Sequence, residues 1–413
     1  MALVSELELP AFDHTDPSMR GEHFHGEMER TRAQGWLARG PFGYMTLDRE
    51  SGEFFLRTRS AIFPGMKIAE IFGVTEGPLY EQMVRNILHV NGADHSRLRS
   101  LVNPALSPRA VERYRPAMRE FLGGLLEDAL AAPRAAGGEV QCDFVETFAR
   151  PYPSQVIATV MGAPLADAPR LHHWSNWIQR QFDAASMASE LSQIEEAVAE
   201  FYEYAQALVA DRRRSPADDL ISRLIQAEEQ GDRLSDVECI NLVFNVLVGG
   251  VDTTQAQLAH AIRLLAQHPD QWEALRRDTS LAAKAVEEAL RYEPITPFTA
   301  RILTEDVVYR DVTFPEDTIV MVCAFTGNRD IEGIDQGDAD RFDITADRAR
   351  ARSLTFGAGV HYCLGANLAR AELQEGLTFL AQHLNGLQLA GEPVYESVSG
   401  IYGIAELPLR FAA

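Results

Sequence analysis

Apolar positions recur at helical spacing along most of the chain. Strand-like alternation is confined to residues 44–56 and 305–322 and to about the last twenty residues. The pattern predicts a mainly α fold with small β-sheets. Pro151, Pro153 and Pro164 punctuate one junction, and the polar runs 211–215 and 231–233 mark others. The clearest helix begins at Ser235, where Glu238 completes a capping box, and continues to about Gln267, ahead of Pro269. At 1.5 Å per residue it would be roughly 50 Å long. Its middle, 242–251, is apolar on nearly every face, so the helix is expected to cross the interior. Gly249 and Gly250 sit in that stretch at a cost of about 1 kcal/mol each relative to alanine, which implies a close approach to the backbone.

Hydrophobic residues make up 46% of the 413, enough for a large core, and charged residues at 24% are ordinary. Length alone would allow two or three domains. No stretch approaches the length needed to span a bilayer, and the first 17 residues lack a basic-then-apolar signal, so a cytoplasmic protein without a membrane anchor is expected. The formal charge of -22 repels polyanions and excludes nucleic acid as a partner. Cys142, Cys239, Cys323 and Cys363 are scattered, which fits neither a disulfide framework nor a paired-cysteine metal site.

Residues Phe356 to Gly365 set Cys363 in a glycine-punctuated loop just ahead of an apparent helix. A thiolate is stabilised by the positive end of a helix dipole, so a lowered pKa is expected there. Gly357, Gly359 and Gly365 would let the backbone take positive φ and press against a flat ligand. Alone, Cys363 reads more often as a small buried hydrophobe. Asp252 and Thr253 follow the double glycine and could either move protons or simply bond the loosened helix backbone. Glu288 and Arg291 share a helix face at i,i+3 spacing ahead of Pro294, and His95 and Arg99 share one at i,i+4. Taken singly, these cations and Arg301 read as surface groups.

The 356–365 segment resembles the haem-binding loop of the cytochrome P450 family, Phe-Gly-x-Gly-x-His/Arg-x-Cys-x-Gly, with every fixed position met. Residues 249–253 resemble the family's Ala/Gly-Gly-x-Asp/Glu-Thr segment, with Gly249 where alanine is commoner. The resemblance implies one haem domain over 1–413, of the soluble bacterial type and without a fused reductase. It implies haem b held non-covalently by Phe356, Gly357, Gly365, Gly249 and Gly250, with Cys363 as the axial iron ligand and His95, Arg99, Arg301 and His361 on the propionates. Thr253 would orient dioxygen and Asp252 would gate protons, while Glu288, Arg291 and Arg341 would form a structural triad. Electrons would pass from NAD(P)H through a separate ferredoxin or flavodoxin and its reductase, docking near Arg97, Arg99, Arg109, Arg113, Arg115 and Arg119 and near Arg348, Arg350, Arg352 and Arg370. The implied reaction is hydroxylation or epoxidation of a lipophilic small molecule by a monomeric enzyme. Its pocket would include Val246, Ile295, Phe298, Ile401 and Tyr402, with Arg85 or Lys67 as a possible charged anchor. The alternatives are a peroxide-driven peroxygenase and a non-catalytic haem- or ligand-binding protein.

Overall fold

The helical periodicity is realised as helices layered around the predicted central one in a computed structural model that describes residues 2–131, 139–229, 231–331, 338–348 and 352–412. The helices that build the site are α1 (Arg49–Arg57), α2 (Gly92–Val102), α3 (Pro151–Met161), α4 (Ala168–Gln179), α5 (Leu191–Arg214), α6 (Asp236–Gly250), α7 (Asp252–Gln267), α8 (Ala282–Tyr292) and α9 (Ala366–His383). The Ser235–Glu238 capping box is present at the start of α6. The single long helix is in fact two, because Val251 at ψ -75° breaks the run between α6 and α7. By length and composition Asp236–Gln267 could span a bilayer, contrary to the expectation that no stretch could, but two-thirds of its most apolar window is buried inside the protein. The largest apolar cluster draws on residues from Ala69 to Phe411.

Five strands, β1 (Leu37–Gly40), β2 (Gly43–Thr46), β3 (Ala61–Ile62), β4 (Phe298–Leu303) and β5 (Ile319–Cys323), form a sheet in the order β1-β2-β5-β4-β3. Strand β5 runs parallel to β2 and antiparallel to β4, which sets Val320 opposite Arg301. The alternation expected over 44–56 ends at Thr46. Asp48 there accepts the Ser51 N–H at 2.7 Å and starts α1, so N-cap chemistry overrides a strand-like pattern. Nor is 211–215 a junction throughout, since α5 continues to Arg214 with Arg212, Arg213 and Arg214 all paired to aspartates.

Behind the cysteine loop, Glu288 and Arg291 on α8 form a two-point ion pair, with bonds of 2.7 and 2.8 Å. The third cation is Arg348, not Arg341. Arg348 Nη1 donates to both Glu288 oxygens, at 3.0 and 3.2 Å, from a side chain only 8% exposed. Arg341 contributes its backbone carbonyl, which accepts from Arg291 at 3.1 Å, while its side chain is in an exposed residue. The turn after Asp338 therefore points the later arginine inward. Asp343 N–H also donates to Glu288 at 2.8 Å, so every charge in the group is bonded.

Removing Arg348 leaves Glu288 short of a buried partner. Arg348→Ala is expected to cost about 3 kcal/mol in denaturant unfolding, and Arg341→Ala to stay within about 0.5 kcal/mol of wild type. Equal losses in the two variants would refute the assignment.

Candidate active site

The loop that carries Cys363 is closed by its own backbone. Cys363 N–H donates to Phe356 C=O at 2.9 Å, and Gly357 N–H to Leu354 C=O at 2.7 Å. Gly357 and Gly359 take φ +69° and +71°, and a Cβ on Gly359 would sit 2.6 Å from the Leu56 carbonyl oxygen at the end of α1. Glycine is required at both positions. Gly365 differs from expectation, since its φ is -85° and no atom lies within 4 Å of a built Cβ; it simply lines the cavity ahead of α9. The Cys363 thiol also departs from the expected direction. Burial pushes its pKa up, against the Gly365 and Ala366 N–H groups and the Arg99 and Arg370 guanidiniums, which favour the thiolate. Coordination to a metal would remove that proton outright.

Above Cys363 lies a cavity of about 430 Å³ walled by the cysteine loop, α2, the α6–α7 break and β4. The two glycines of the break serve different purposes. A Cβ on Gly250 would meet Ile157 of α3 at 2.4 Å, whereas Gly249 faces no atom within 4 Å and lines the cavity. Thr253 also lines it, with its hydroxyl donating to the Gly249 carbonyl at 2.6 Å. Asp252 is buried outside the lining, against Ser175 and Asn176 of α4. Burial raises its carboxyl, opposed by His172 and by the bonds from Ser175 and Asn176. Two residues adjacent in sequence thus reach opposite sides of the broken helix.

His95, Arg99, Arg301 and His361 converge on the end of the cavity that holds Cys363. The His95 and His361 rings are 4.4 Å apart, and Arg99 donates to the Tyr362 carbonyl at 2.9 Å. Arg301 is 2% exposed and, among the described residues, donates only to the neighbouring Ala300 carbonyl at 2.8 Å. Burial alone pulls its pKa down to about 10. His361 is pulled to about 3 by burial and by the facing His95, Arg301 and Arg99. Among the described residues none of the four pairs with a carboxylate, in a chain with 60 acidic residues. Such a cluster is costly unless an anion completes it. A flat group with two carboxylates, whose metal Cys363 would hold, would fit the donors present and the open space beside Gly249. Phe356 supports that wall, with the Arg370 guanidinium 4.6 Å from its ring centre.

Of the expected pocket residues, Val246, Ile295, Phe298 and Ile401 line the cavity. Tyr402 does not. It is fully buried, accepts the Gly21 N–H at 2.9 Å and packs on Phe24 and His260, because its backbone bond to Ile295 turns the ring into the core. Sequence reasoning missed His14, Phe42 and Glu372, all lining residues. His14 and Phe42 carry no local signal, since only the fold brings the N-terminal segment here. Glu372 had one: it follows buried Leu368 at i+4, an acidic side chain at an apolar position of α9.

A family model described as Cytochrome P450 matches residues 73–390. The chain is 35% identical over 410 residues to luteothin monooxygenase of Streptomyces thioluteus, covering 99% of this chain and 98% of that protein. It is 37% identical over 311 residues to mycinamicin IV hydroxylase/epoxidase of Micromonospora griseorubida, covering 75% of each. The crystal structure of CalO2 superposes with a TM-score of 0.87 at 31% identity, covering 98% of this chain and 99% of that one. With the Cys363 thiol, four basic side chains that no described carboxylate pairs and the broken central helix around one cavity, and with these likenesses, the chain belongs to the cytochrome P450 family and is a haem-thiolate monooxygenase.

Proposed function

We propose that this protein inserts one oxygen atom of dioxygen into a neutral, lipophilic small molecule, using NAD(P)H electrons relayed by a separate ferredoxin or flavodoxin and its reductase. Haem, when bound, would supply the oxidising chemistry, and Cys363 would hold it as an electron-donating thiolate. The protein's own residues position and protonate. Thr253 presents its hydroxyl oxygen to the cavity while its proton is held by Gly249, and Asp252 stores a proton behind the break. That intact acid–alcohol pair favours the electron-driven reading over a peroxide-driven one. We propose further that residues 1–413 act as one unit, a cytoplasmic monomer, because the groups around the cavity are drawn from His14 to Ile401.

The charge of the cavity wall carries the substrate assignment. Its only Asp, Glu, Lys or Arg residues among those described are Arg99, Arg301 and Glu372. The two arginines are committed to the cofactor rim, and burial pushes the Glu372 carboxyl well above its ordinary value, which favours its neutral form. His14 and His89 are drawn down to about 4 by burial and are neutral as well. The expected anchors are not available: Lys67 pairs with Glu70 outside the lining, and Arg85 pairs with Glu81 beside a smaller recess. Phe42, Phe63, Phe72 and Phe298 supply the apolar wall.

The arginines expected to meet the electron donor are less free than their number suggests. Arg97 pairs with Glu238, Arg113 with Asp218, Arg115 and Arg119 with Glu375, and Arg370 with Glu287. Arg348 is buried in the triad, and Arg350 lies outside the described residues. Arg109 and Arg352 are exposed.

The ferrous carbon-monoxide complex of the haem-loaded protein is expected to show the strongly red-shifted Soret band of thiolate ligation, and Cys363→Ala to lose it. A wild-type protein without the band would overturn the reading. Spin-state titrations at neutral pH compare 1-tetradecanol with myristate. Burying a carboxylate with no partner should weaken myristate at least about tenfold, so equal or tighter myristate binding would defeat the neutral-substrate assignment.

A further inference from the structure

Helix α4 carries a polar stripe in an otherwise apolar layer. His172, Ser175, Asn176 and Gln179 fall at i, i+3, i+4 and i+7 and therefore share one face. Each of them bonds the broken central helix. His172 Nε2 lies 3.0 Å from Gln255 Oε1, and Gln255 is one turn beyond Asp252 on α7. Ser175 Oγ bonds the Asp252 carboxylate, and Asn176 Nδ2 donates to Asp252 Oδ1 at 3.3 Å. Gln179 Nε2 donates to the Val248 carbonyl, and its Oε1 is buried without a partner while the residue lines the cavity. The seam thus runs from half-buried His172 at the outside, past Asp252, to the cavity wall. An apolar contact would stabilise the core more simply, so this polar line needs a purpose.

We propose that His172 is the solvent-side proton source for Asp252, a positioning residue that recharges the acid after each proton passes to the cavity. The inference rests on the proton-storing role assigned to Asp252 above. The step moves one proton and no electrons. Asp252 gives its proton inward and becomes a carboxylate; His172 takes a proton from solvent, passes one through intervening water to Asp252 and returns to neutral imidazole.

The surrounding charges suit that cycle. Burial holds His172 below the usual histidine range and Asp252 above the usual carboxylate range, so the neutral form of each is favoured. Once Asp252 is ionised, its charge favours a protonated His172. The other charged groups facing His172 are Arg150, which disfavours its cation, and Glu146, which favours it; these two also pair with each other. Glu396 faces Asp252 from the C-terminal segment, and Arg180, Arg150 and Arg20 are the cations near Glu396. On α4 itself Arg170 stacks over Trp174, and Trp174 bonds Glu200 of α5.

The test is oxygen consumption by the haem-loaded protein with a ferredoxin, its NADPH reductase and no added substrate, from about pH 5.5 to 8.5, the range in which a histidine titrates. Wild type is expected to slow as pH rises, because His172 then recovers its proton less often. His172→Gln should lower the rate about tenfold, less than the ~10²- to 10⁴-fold of a lost general acid because water still reaches the seam, and should flatten the profile. His172→Arg, which keeps a donor but cannot titrate, should flatten it too, and serves if His172→Gln fails to give the thiolate Soret band. If Asp252→Asn slows the reaction but both His172 variants keep the wild-type rate and slope, the inference fails and the role of Asp252 stands. If Asp252→Asn is also unchanged, the role of Asp252 itself fails.

Discussion

The break in the central helix between Gly250 and Asp252 is the constraint on which the site depends. An unbroken helix of this apolar composition would present a continuous wall of side chains to the cavity. Two glycines remove that wall for one turn, and side chains donate to the carbonyls there: Gln179 to Val248, Thr253 to Gly249, and Ser175 to Leu247, which also keeps the Val251 N–H. The same break turns Asp252 away from the cavity and Thr253 toward it, so one local irregularity separates a buried acid from an exposed hydroxyl. Gly250 is tied to packing against Ile157, which holds the break in register with α3.

Two clusters of charge on either side of the cysteine loop show how structure and binding divide the available ions. Around Glu288 the carboxylate is bonded by both guanidiniums and by the Asp343 N–H, and the result is a rigid buttress behind the loop. Around Arg301 the donors have no acidic partner although the chain carries an excess of 22 negative charges. A surplus of acid could easily have supplied a carboxylate there. Its absence among the described residues leaves the rim electropositive, which suits a dianionic flat ligand and opposes the same ligand in a neutral form.

The cavity extends the same logic outward. Away from the rim its wall mixes aromatic and aliphatic side chains with amides such as Gln179 and Asn245 and with imidazoles kept neutral by burial. Paired arginines on the outer face blunt the positive patch, so a docking partner would meet a mixture of neutralised and free groups.

The sequence by itself determined what depends on short-range chemistry. The Ser235–Glu238 cap, the positive-φ glycines at 357 and 359, the i,i+4 placement of His95 and Arg99 and the i,i+3 pair of Glu288 and Arg291 follow from spacing and backbone geometry, and all appear as read. The motif order from His95 to Cys363 was sufficient to name the family. Tertiary structure alone decided the matters that turn on partners distant in sequence: that Arg348 and not Arg341 closes the triad, that Tyr402 joins the core, that His14 reaches the cavity, and that Asp252 meets α4. It also reversed the expected direction for the Cys363 thiol, because desolvation depends on everything packed around a group, whereas a helix dipole depends only on its neighbours in the chain.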